Sequence, residues 1–121
     1  MKNTESLKLN KDFKRLYYRG KSFVRPNIVV YVNFNRKQEN RLGITCSKAL
    51  GKAVKRNRVK RLMREAYRLI EDNIKTGYDL VIVARSRAVN CKCIHIRNDL
   101  ENAFKKLGLV KDDGKNSDID S

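Results

Sequence analysis

The chain has 121 residues, the length of one domain, and 40% hydrophobic residues, enough for one modest core. Its net charge of +16 opposes compaction and favours a polyanionic partner such as a nucleic acid. The first residues lack the apolar region of a signal peptide, and no stretch is long enough to span a membrane. The three cysteines follow no disulfide framework, so we expect reduced thiols in a cytoplasmic protein.

The first predicted element is a short amphipathic helix over residues 8–19. Asn10 is a candidate N-cap, and Gly20 is a candidate residue just past the C-terminal end. One face of this helix is apolar and consists of Phe13, Leu16 and Tyr17. Such a stripe most often packs against a core.

Two alternating runs predict strands over 27–35 and 41–47. A polar loop joins them, so we expect the two strands to pair antiparallel. Pro26 is expected to end a preceding edge strand over 21–25. The side chains expected to point into the core are those of Ile28, Val30, Val32 and Phe34 in the first strand, and Leu42, Ile44 and Cys46 in the second.

A strongly basic helix follows, with eight Lys or Arg and one acid between Lys52 and Arg68. Its apolar stripe consists of Val59, Leu62, Met63, Ala66 and Ile70, and the opposite side consists of Asn57, Lys60, Arg61, Arg64 and Arg68, with Arg56 and Arg58 on the flanks. A charged helix face is commonly only solvated. A face of nearly one sign favours contact with RNA or DNA phosphates.

Residues 78–85 are almost continuously apolar and predict a central strand covered on both faces. The helix between two strands of one sheet predicts a βαβ crossover, which is right-handed by the general rule. A final helix follows from Ile94, and a polar acidic segment ends the chain. We therefore predict one α+β two-layer domain over 1–109 and a disordered acidic tail over 110–121.

The residues give little sign of an active site. Cys91, Cys93 and His95 alternate as C-x-C-x-H, but structural zinc usually takes four ligands at other spacings, so idle or buried thiols are favoured. The carboxylates are scattered, and we expect no bond chemistry by the polypeptide itself. Tyr31 lies on the second face of its strand, so Phe13, Tyr17 and Tyr31 are either core residues or one stacking groove for single-stranded nucleic acid.

Three segments resemble the protein subunit of bacterial ribonuclease P, a family whose signature is the RNR helix. These segments are LKLNKDFKRLYYRGKS, RLGITCSKALGKAVKRNRVKRLMREAYR and GYDLVIVAR. The resemblance implies a small α-β sandwich of order αβββαβα, similar to the second domain of ribosomal protein S5. It also implies a left-handed βαβ crossover, in place of the right-handed one that the general rule predicts.

The resemblance further implies a ribonucleoprotein whose catalytic RNA removes the 5′ leader from precursor tRNA, with Mg²⁺ bound mainly by the RNA. The protein is expected to bind both RNAs as a monomer within the holoenzyme, in the cytoplasm and away from membranes. The residues implied for the catalytic RNA are Arg56, Asn57, Arg58, Lys60, Arg61, Arg64 and Arg68. Those implied for the leader are Phe13, Tyr17, Arg19, Arg25, Tyr31, Ser47 and Lys48. No catalytic or metal-binding side chain is expected.

Other function classes remain as alternatives. A structural RNA-binding protein on the same fold would need the basic helix but not the aromatic groove. A protein-only nuclease would need a cluster of metal-binding carboxylates, which the sequence does not show. A membrane-surface protein is disfavoured because the core needs the apolar stripe of the basic helix.

Overall fold

The computed structural model describes residues 4–111, which form a five-stranded sheet with helices on both faces. The elements are β1 (Thr4–Ser6), α1 (Asn10–Arg19), β2 (Lys21–Val24), β3 (Ile28–Phe34), β4 (Asn40–Thr45), α2 (Ala53–Ile70), β5 (Tyr78–Ala84) and α3 (Cys93–Lys106). The predicted order αβββαβα is present, preceded by one additional strand. The sequence did not predict β1 because its residues, Thr-Glu-Ser, show no apolar alternation.

The sheet has the strand order β1-β4-β5-β3-β2. β5 lies between β3 and β4, antiparallel to β3 and parallel to β4. The predicted pairing of the 27–35 and 41–47 strands is therefore wrong. The physical reason is that the apolar strand β5 takes the centre, where both of its faces are covered. The edge strand predicted before Pro26 is confirmed as β2.

The main core lies between one face of the sheet and the helices α2 and α3, whereas α1 covers the other face. Its sheet side includes Ile28, Val30 and Val32 from β3, with Leu80 and Ile82 from β5. Tyr67 of α2 is fully buried there, although the predicted apolar stripe did not include it.

The prediction that Phe34 points into the core is wrong, since its side chain is 61% exposed. Phe34 is the last residue of β3, and its ring packs edge-to-face on Tyr78 with the ring centroids 5.7 Å apart. Strand alternation gives the face of a residue but not whether a helix reaches that end of the strand.

A smaller apolar cluster covers the other face of the sheet, under α1. Leu16 and Val81 are buried in it, and Phe13, Tyr31 and Val83 pack around them. β5 therefore sends alternate side chains to α1 on one face and to α2 and α3 on the other. This alternation is what places α1 and α2 on opposite faces of one sheet.

The ends of α1 differ in detail from the prediction. Leu9 occupies the N-cap position, without a side-chain bond, so the prediction of Asn10 as the N-cap is wrong. Gly20 follows the last residue in an extended conformation. A Cβ atom on Gly20 would lie 2.6 Å from the Leu16 carbonyl oxygen and 2.8 Å from that of Val32, so only glycine lets the chain turn this close to β3.

The chain stays in contact with the domain at the start of the predicted tail. Val110 forms an antiparallel bridge with Ile74, and the Lys111 amide donates a 2.8 Å hydrogen bond to the Asn73 carbonyl. The rest of the predicted tail, 112–121, lies outside the described residues. Across 4–111, no helix combines the length and apolar character needed to cross a membrane.

Candidate nucleic-acid interface

The outward side of α2 is a strongly cationic surface. Because Val59, Met63 and Ala66 are fully buried against the core, the opposite side of the helix faces solvent. We define the basic face as Asn57, Lys60, Arg61, Arg64 and Arg68. The four residues other than Lys60 are exposed, as their angles around the helix predict. Lys60 is half-buried.

The polar groups at the centre of the basic face are available for a ligand. Arg68 donates a 2.6 Å hydrogen bond to Glu65, one turn back on the same helix. Within residues 4–111, the side chains of Asn57, Arg61 and Arg64 make no hydrogen bond or ion pair. Guanidinium groups of this kind match the geometry of phosphate oxygens.

The two arginines on the flanks of α2 are used differently. Arg56 Nε donates to the Gly51 carbonyl at 3.2 Å, on the segment that leads into the helix. Arg58 donates to the carbonyls of Val89 and Cys91, at 3.1 and 3.3 Å, on the segment that leads into α3. These bonds hold the N-terminal part of α2 in place between two loops. Helical periodicity cannot predict this role.

On the other face of the sheet, three aromatic rings predicted from the sequence come together. The ring centroids of Tyr17 and Tyr31 are 4.9 Å apart in an edge-to-face arrangement, and those of Phe13 and Tyr17 are 6.5 Å apart. We call these three residues the aromatic surface. Tyr17 is 42% exposed and presents its ring to solvent, whereas Phe13 and Tyr31 are half-buried.

A glycine on β4 makes room for this cluster. A Cβ atom on Gly43 would lie 2.5 Å from the Phe13 ring, so the ring rests directly on the backbone of β4. In the sheet register Gly43 pairs with Val81, and Val81 pairs with Tyr31 on its other side. The floor of the aromatic surface is therefore one row of residues across three strands.

An ion-pair network fixes α1 on the sheet. Arg41 of β4 donates two hydrogen bonds to Asp79 of β5, at 2.6 and 2.8 Å, and one of 3.4 Å to Asp12 of α1. The hydrogen bonding to Asp79 raises the pKa of Arg41 above its usual value, although burial opposes the shift. The sequence did not single out these residues, because they lie on three different elements.

The end of β4 connects the two surfaces. Ser47 Oγ accepts a 3.1 Å hydrogen bond from the Ala49 amide and caps the short 3₁₀ turn Lys48–Leu50, which leads to α2. Ser47 and Lys48 are exposed. Arg85 was not among the predicted site residues; it is exposed just after β5 and donates to the Arg25 carbonyl at 2.8 Å. The sequence could have indicated its position, because Arg85 follows Val83 by two residues and strand alternation places such residues on the same face.

The structure does not bring two of the predicted leader residues to the aromatic surface. Arg19 lines a cavity on the opposite side of α1, together with Lys14 and Arg15. Arg25 faces α3, where its Nε lies 3.6 Å from Asp99 Oδ1 and its guanidinium lies 5.9 Å from the centre of the Phe23 ring. The angle of Arg19 around α1 and the position of Arg25 just after β2 account for these two placements.

The thiols and the single histidine show no sign of shared chemistry. Burial raises the pKa of Cys46 and of Cys91, which favours the protonated, unreactive form. His95 Nδ1 accepts a 3.0 Å hydrogen bond from the Lys92 amide. In the part of the chain that the structure describes, no three His, Cys, Asp or Glu side chains are grouped so that they could hold a metal ion.

The geometry defines a small, strongly basic α+β domain with a cationic helix on one sheet face and clustered aromatic rings on the other.

A family model described as Ribonuclease P matches residues 1–108. The ribonuclease P protein component of Clostridium kluyveri is 47% identical over 107 residues, covering 87% of this chain and 96% of the relative. That of Clostridium acetobutylicum is 45% identical over 112 residues, covering 91% and 94%.

Solved structures agree in fold. The Staphylococcus aureus RNase P protein superposes with a TM-score of 0.78 at 36% identity, covering 88% of this chain and 97% of that one. The RNase P protein from Thermotoga maritima gives a TM-score of 0.76 at 32% identity, covering 84% and 96%. The chain therefore belongs to the ribonuclease P protein family, and the family resemblance and the fold class predicted from the sequence are confirmed.

Proposed function

We propose that this chain is the protein subunit that assists a catalytic RNA in removing the 5′ leader from precursor tRNA, in the cytoplasm. Family membership supports the ribonucleoprotein context. The observation that carries the proposal is that the basic face and the aromatic surface lie on opposite sides of the sheet. One protein can therefore contact two RNA segments at once. We take the protein to act as a single copy within the holoenzyme.

The basic face binds the catalytic RNA. Arg61 and Arg64 face solvent, so their guanidinium groups are free to replace counterions around RNA phosphates. The exposed Asn57 amide adds a neutral hydrogen-bond donor beside them. Lys60 and Arg68 extend the same surface. Arg56 and Arg58 contribute by holding the N-terminal turn of α2 in place, with their remaining donors directed at the same RNA.

The aromatic surface binds the single-stranded leader. Stacking on an aromatic ring tolerates any base, which suits leaders of differing sequence. Tyr17 offers the most exposed ring of the three, and Phe13 and Tyr31 hold it in position. Ser47 and Lys48 contact the leader backbone where β4 ends. Arg19 and Arg25 lie away from the aromatic surface, so we do not assign them to the part of the leader that binds there.

We assign bond cleavage and its Mg²⁺ to the RNA. The buried carboxylates near the aromatic surface, Asp12 and Asp79, already have a cationic partner in Arg41, and Asp99 has one in Arg25. These groups do not fit a Mg²⁺ site, because each would have to give up an ion pair. Mg²⁺ bound by RNA supplies charge neutralisation at the scissile phosphate. The protein contributes binding and orientation of the substrate.

The experiment is cleavage of 5′-labelled precursor tRNA at low Mg²⁺ by protein alone, a bacterial ribonuclease P RNA alone, and both together. We expect cleavage at the mature 5′ end only with both. The Arg61→Ala/Arg64→Ala protein should need about tenfold more protein for half-maximal stimulation, as expected for loss of two phosphate contacts. The two substitutions remove exposed side chains and leave the core unchanged.

The matched control is Lys105→Ala/Lys106→Ala, which removes the same charge from exposed positions at the end of α3. It should stimulate cleavage at nearly the wild-type protein concentration. An equal loss of stimulation in both variants would mean that net charge, and not the basic face, accounts for the effect of the protein. Cleavage by the protein alone would refute the proposal and support a protein-only nuclease.

A further inference from the structure

The far side of α1 forms a second cationic surface that the proposed function does not use. A cavity of about 700 Å³ lies there, between α1 and the end of β3. Five of the eight residues that line it are cations, and none of the eight is acidic: Lys11, Lys14, Arg15, Arg19 and Arg36. An adjoining cavity of about 400 Å³ is lined by Asp12 and Asp79 but also by five cations, one of which, Arg41, pairs with both carboxylates. The surface therefore carries a positive electrostatic potential, which suits an anionic ligand.

Two exposed aromatic rings lie among these cations. Tyr18 is 90% exposed and Phe34 is 61% exposed, and both line the larger cavity. Both rings therefore present apolar area to solvent on the same surface as the five cations. Rings interleaved with Lys and Arg form a stacking platform for unpaired bases.

The loop that presents Arg36 is built into a fixed shape. Arg36 has a φ of +61°, in the left-handed region that non-glycine residues rarely adopt. Asn35 holds this conformation: its Oδ1 accepts a 2.7 Å hydrogen bond from the Lys37 amide, and its Nδ2 donates to the Glu39 carbonyl and to Asp79. The ordered turn therefore fixes the backbone of Arg36, whose side chain lines the cavity.

We propose that this surface, formed by Tyr18, Phe34 and the five cations, binds the 5′-distal nucleotides of the same single-stranded leader. The inference rests on the proposed function, because it extends the path of the leader beyond the aromatic surface. The five cations favour a polyanionic ligand. The exposed rings favour an unpaired strand, because its bases can stack on them.

The position of the surface favours the leader over the catalytic RNA. The catalytic RNA is assigned to α2, which lies on the opposite face of the sheet. Tyr17 and Tyr18 are consecutive, so the two aromatic sites are separated by one step around α1. A strand that leaves Tyr17 therefore reaches Tyr18 by passing over one helix, with Lys14 between them on the helix surface.

The test is binding of precursor tRNA to the holoenzyme, with a leader of about 4 or about 12 nucleotides, a range typical of single-strand sites. Tyr18→Ala should weaken binding of the long-leader substrate about fivefold or more, and leave the short-leader substrate unchanged. Tyr18→Phe keeps the ring and should bind both substrates as the wild type does. Arg15→Gln/Arg36→Gln should lower the salt dependence for the long leader only.

Each other outcome identifies a different failure. Equal affinity of wild type and Tyr18→Ala for the long leader overturns this inference, while a loss in Tyr17→Ala shows that the aromatic surface still binds the leader. No effect of either substitution on either substrate refutes the leader-binding function itself. Weaker binding of Tyr18→Ala to the catalytic RNA without substrate assigns the surface to that RNA and also overturns the inference.

Discussion

The basic face and the aromatic surface are built in opposite ways. The basic face belongs to one helix, and its residues lie within a span of twelve positions along the chain. The aromatic surface combines α1 and β3 over a floor of β4 and β5, so its geometry depends on contacts between distant segments. The first needs only a helix with one buried side, whereas the second needs the whole sheet.

This difference determines what each surface can tolerate. Under the proposed function, a charge lost from the basic face removes one phosphate contact and leaves its neighbours in place. The aromatic surface responds to changes outside it, because the position of Phe13 and Tyr17 depends on how α1 is held by Arg41. The following substitutions test the contrast.

The largest effect is expected from Arg41→Ala. It leaves Asp79 and Asp12, with side chains 11% and 6% exposed, without their cation. We expect a loss of about 3 kcal/mol in the free energy of unfolding, typical of a broken buried ion pair. Urea denaturation measures this loss. Folded Arg41→Ala protein should also lose its preference for precursor over mature tRNA, because α1 is no longer fixed.

Arg68→Ala is the matched comparison. Its ion pair with Glu65 lies on the basic face, with side chains 59% and 45% exposed, so its removal should cost less than about 1 kcal/mol. The same loss of stability in Arg41→Ala and Arg68→Ala would show that the network does not anchor α1.

A smaller effect separates the two kinds of arginine on α2. Arg58→Ala removes hydrogen bonds to the Val89 and Cys91 carbonyls and should destabilise the protein by about 1.5 kcal/mol. Arg64→Ala should change stability by less than about 0.5 kcal/mol but lower the salt dependence of RNA binding by about one counterion. Thermal unfolding and salt titration of RNA binding measure the two quantities. A weaker salt dependence in both variants, with unchanged stability, would place Arg58 on the basic face instead.

The smallest effect concerns the buried side of α2 and appears only in alkali. Thr4 donates to Glu71, so the Tyr67 hydroxyl donates to Thr4 at 2.9 Å, and burial raises the pKa of Tyr67. In the unfolded chain the phenol ionises near pH 10, whereas in the folded protein it stays protonated to higher pH. Stability should therefore be complete below about pH 10 and fall above it, by at most about 1.4 kcal/mol per pH unit from this group.

Tyr67→Phe provides the control for this pH effect. It should be less stable at neutral pH by about 1 kcal/mol, through the lost hydrogen bond, but lose less stability between pH 9 and pH 11. Urea midpoints at both pH values measure the difference. Parallel decreases in the two proteins would mean that lysine deprotonation, not Tyr67, governs the alkaline transition.

Local periodicity was sufficient to predict the basic face, since helical spacing alone places Arg61 and Arg64 opposite Val59. It also gave the faces of most strand residues. It could not show that β5 lies between β3 and β4, because alternation does not specify a neighbouring strand. It missed Arg41 because the two partners of this residue lie on other elements, and it misjudged Phe34 because alternation does not show whether a helix reaches that end of the strand. Arg19 and Arg25 were grouped with the aromatic rings by resemblance, and the geometry of α1 and β2 separates them.

The central position of β5 has a consequence for the newly synthesised chain. β3 and β4 cannot join one sheet until the ribosome has completed the segment that ends at Ala84. Until then the most apolar strands have unpaired edges, and a strongly cationic helix has no partner for its apolar side. Pairing across such long sequence separations is slow, which favours association with other chains at this stage.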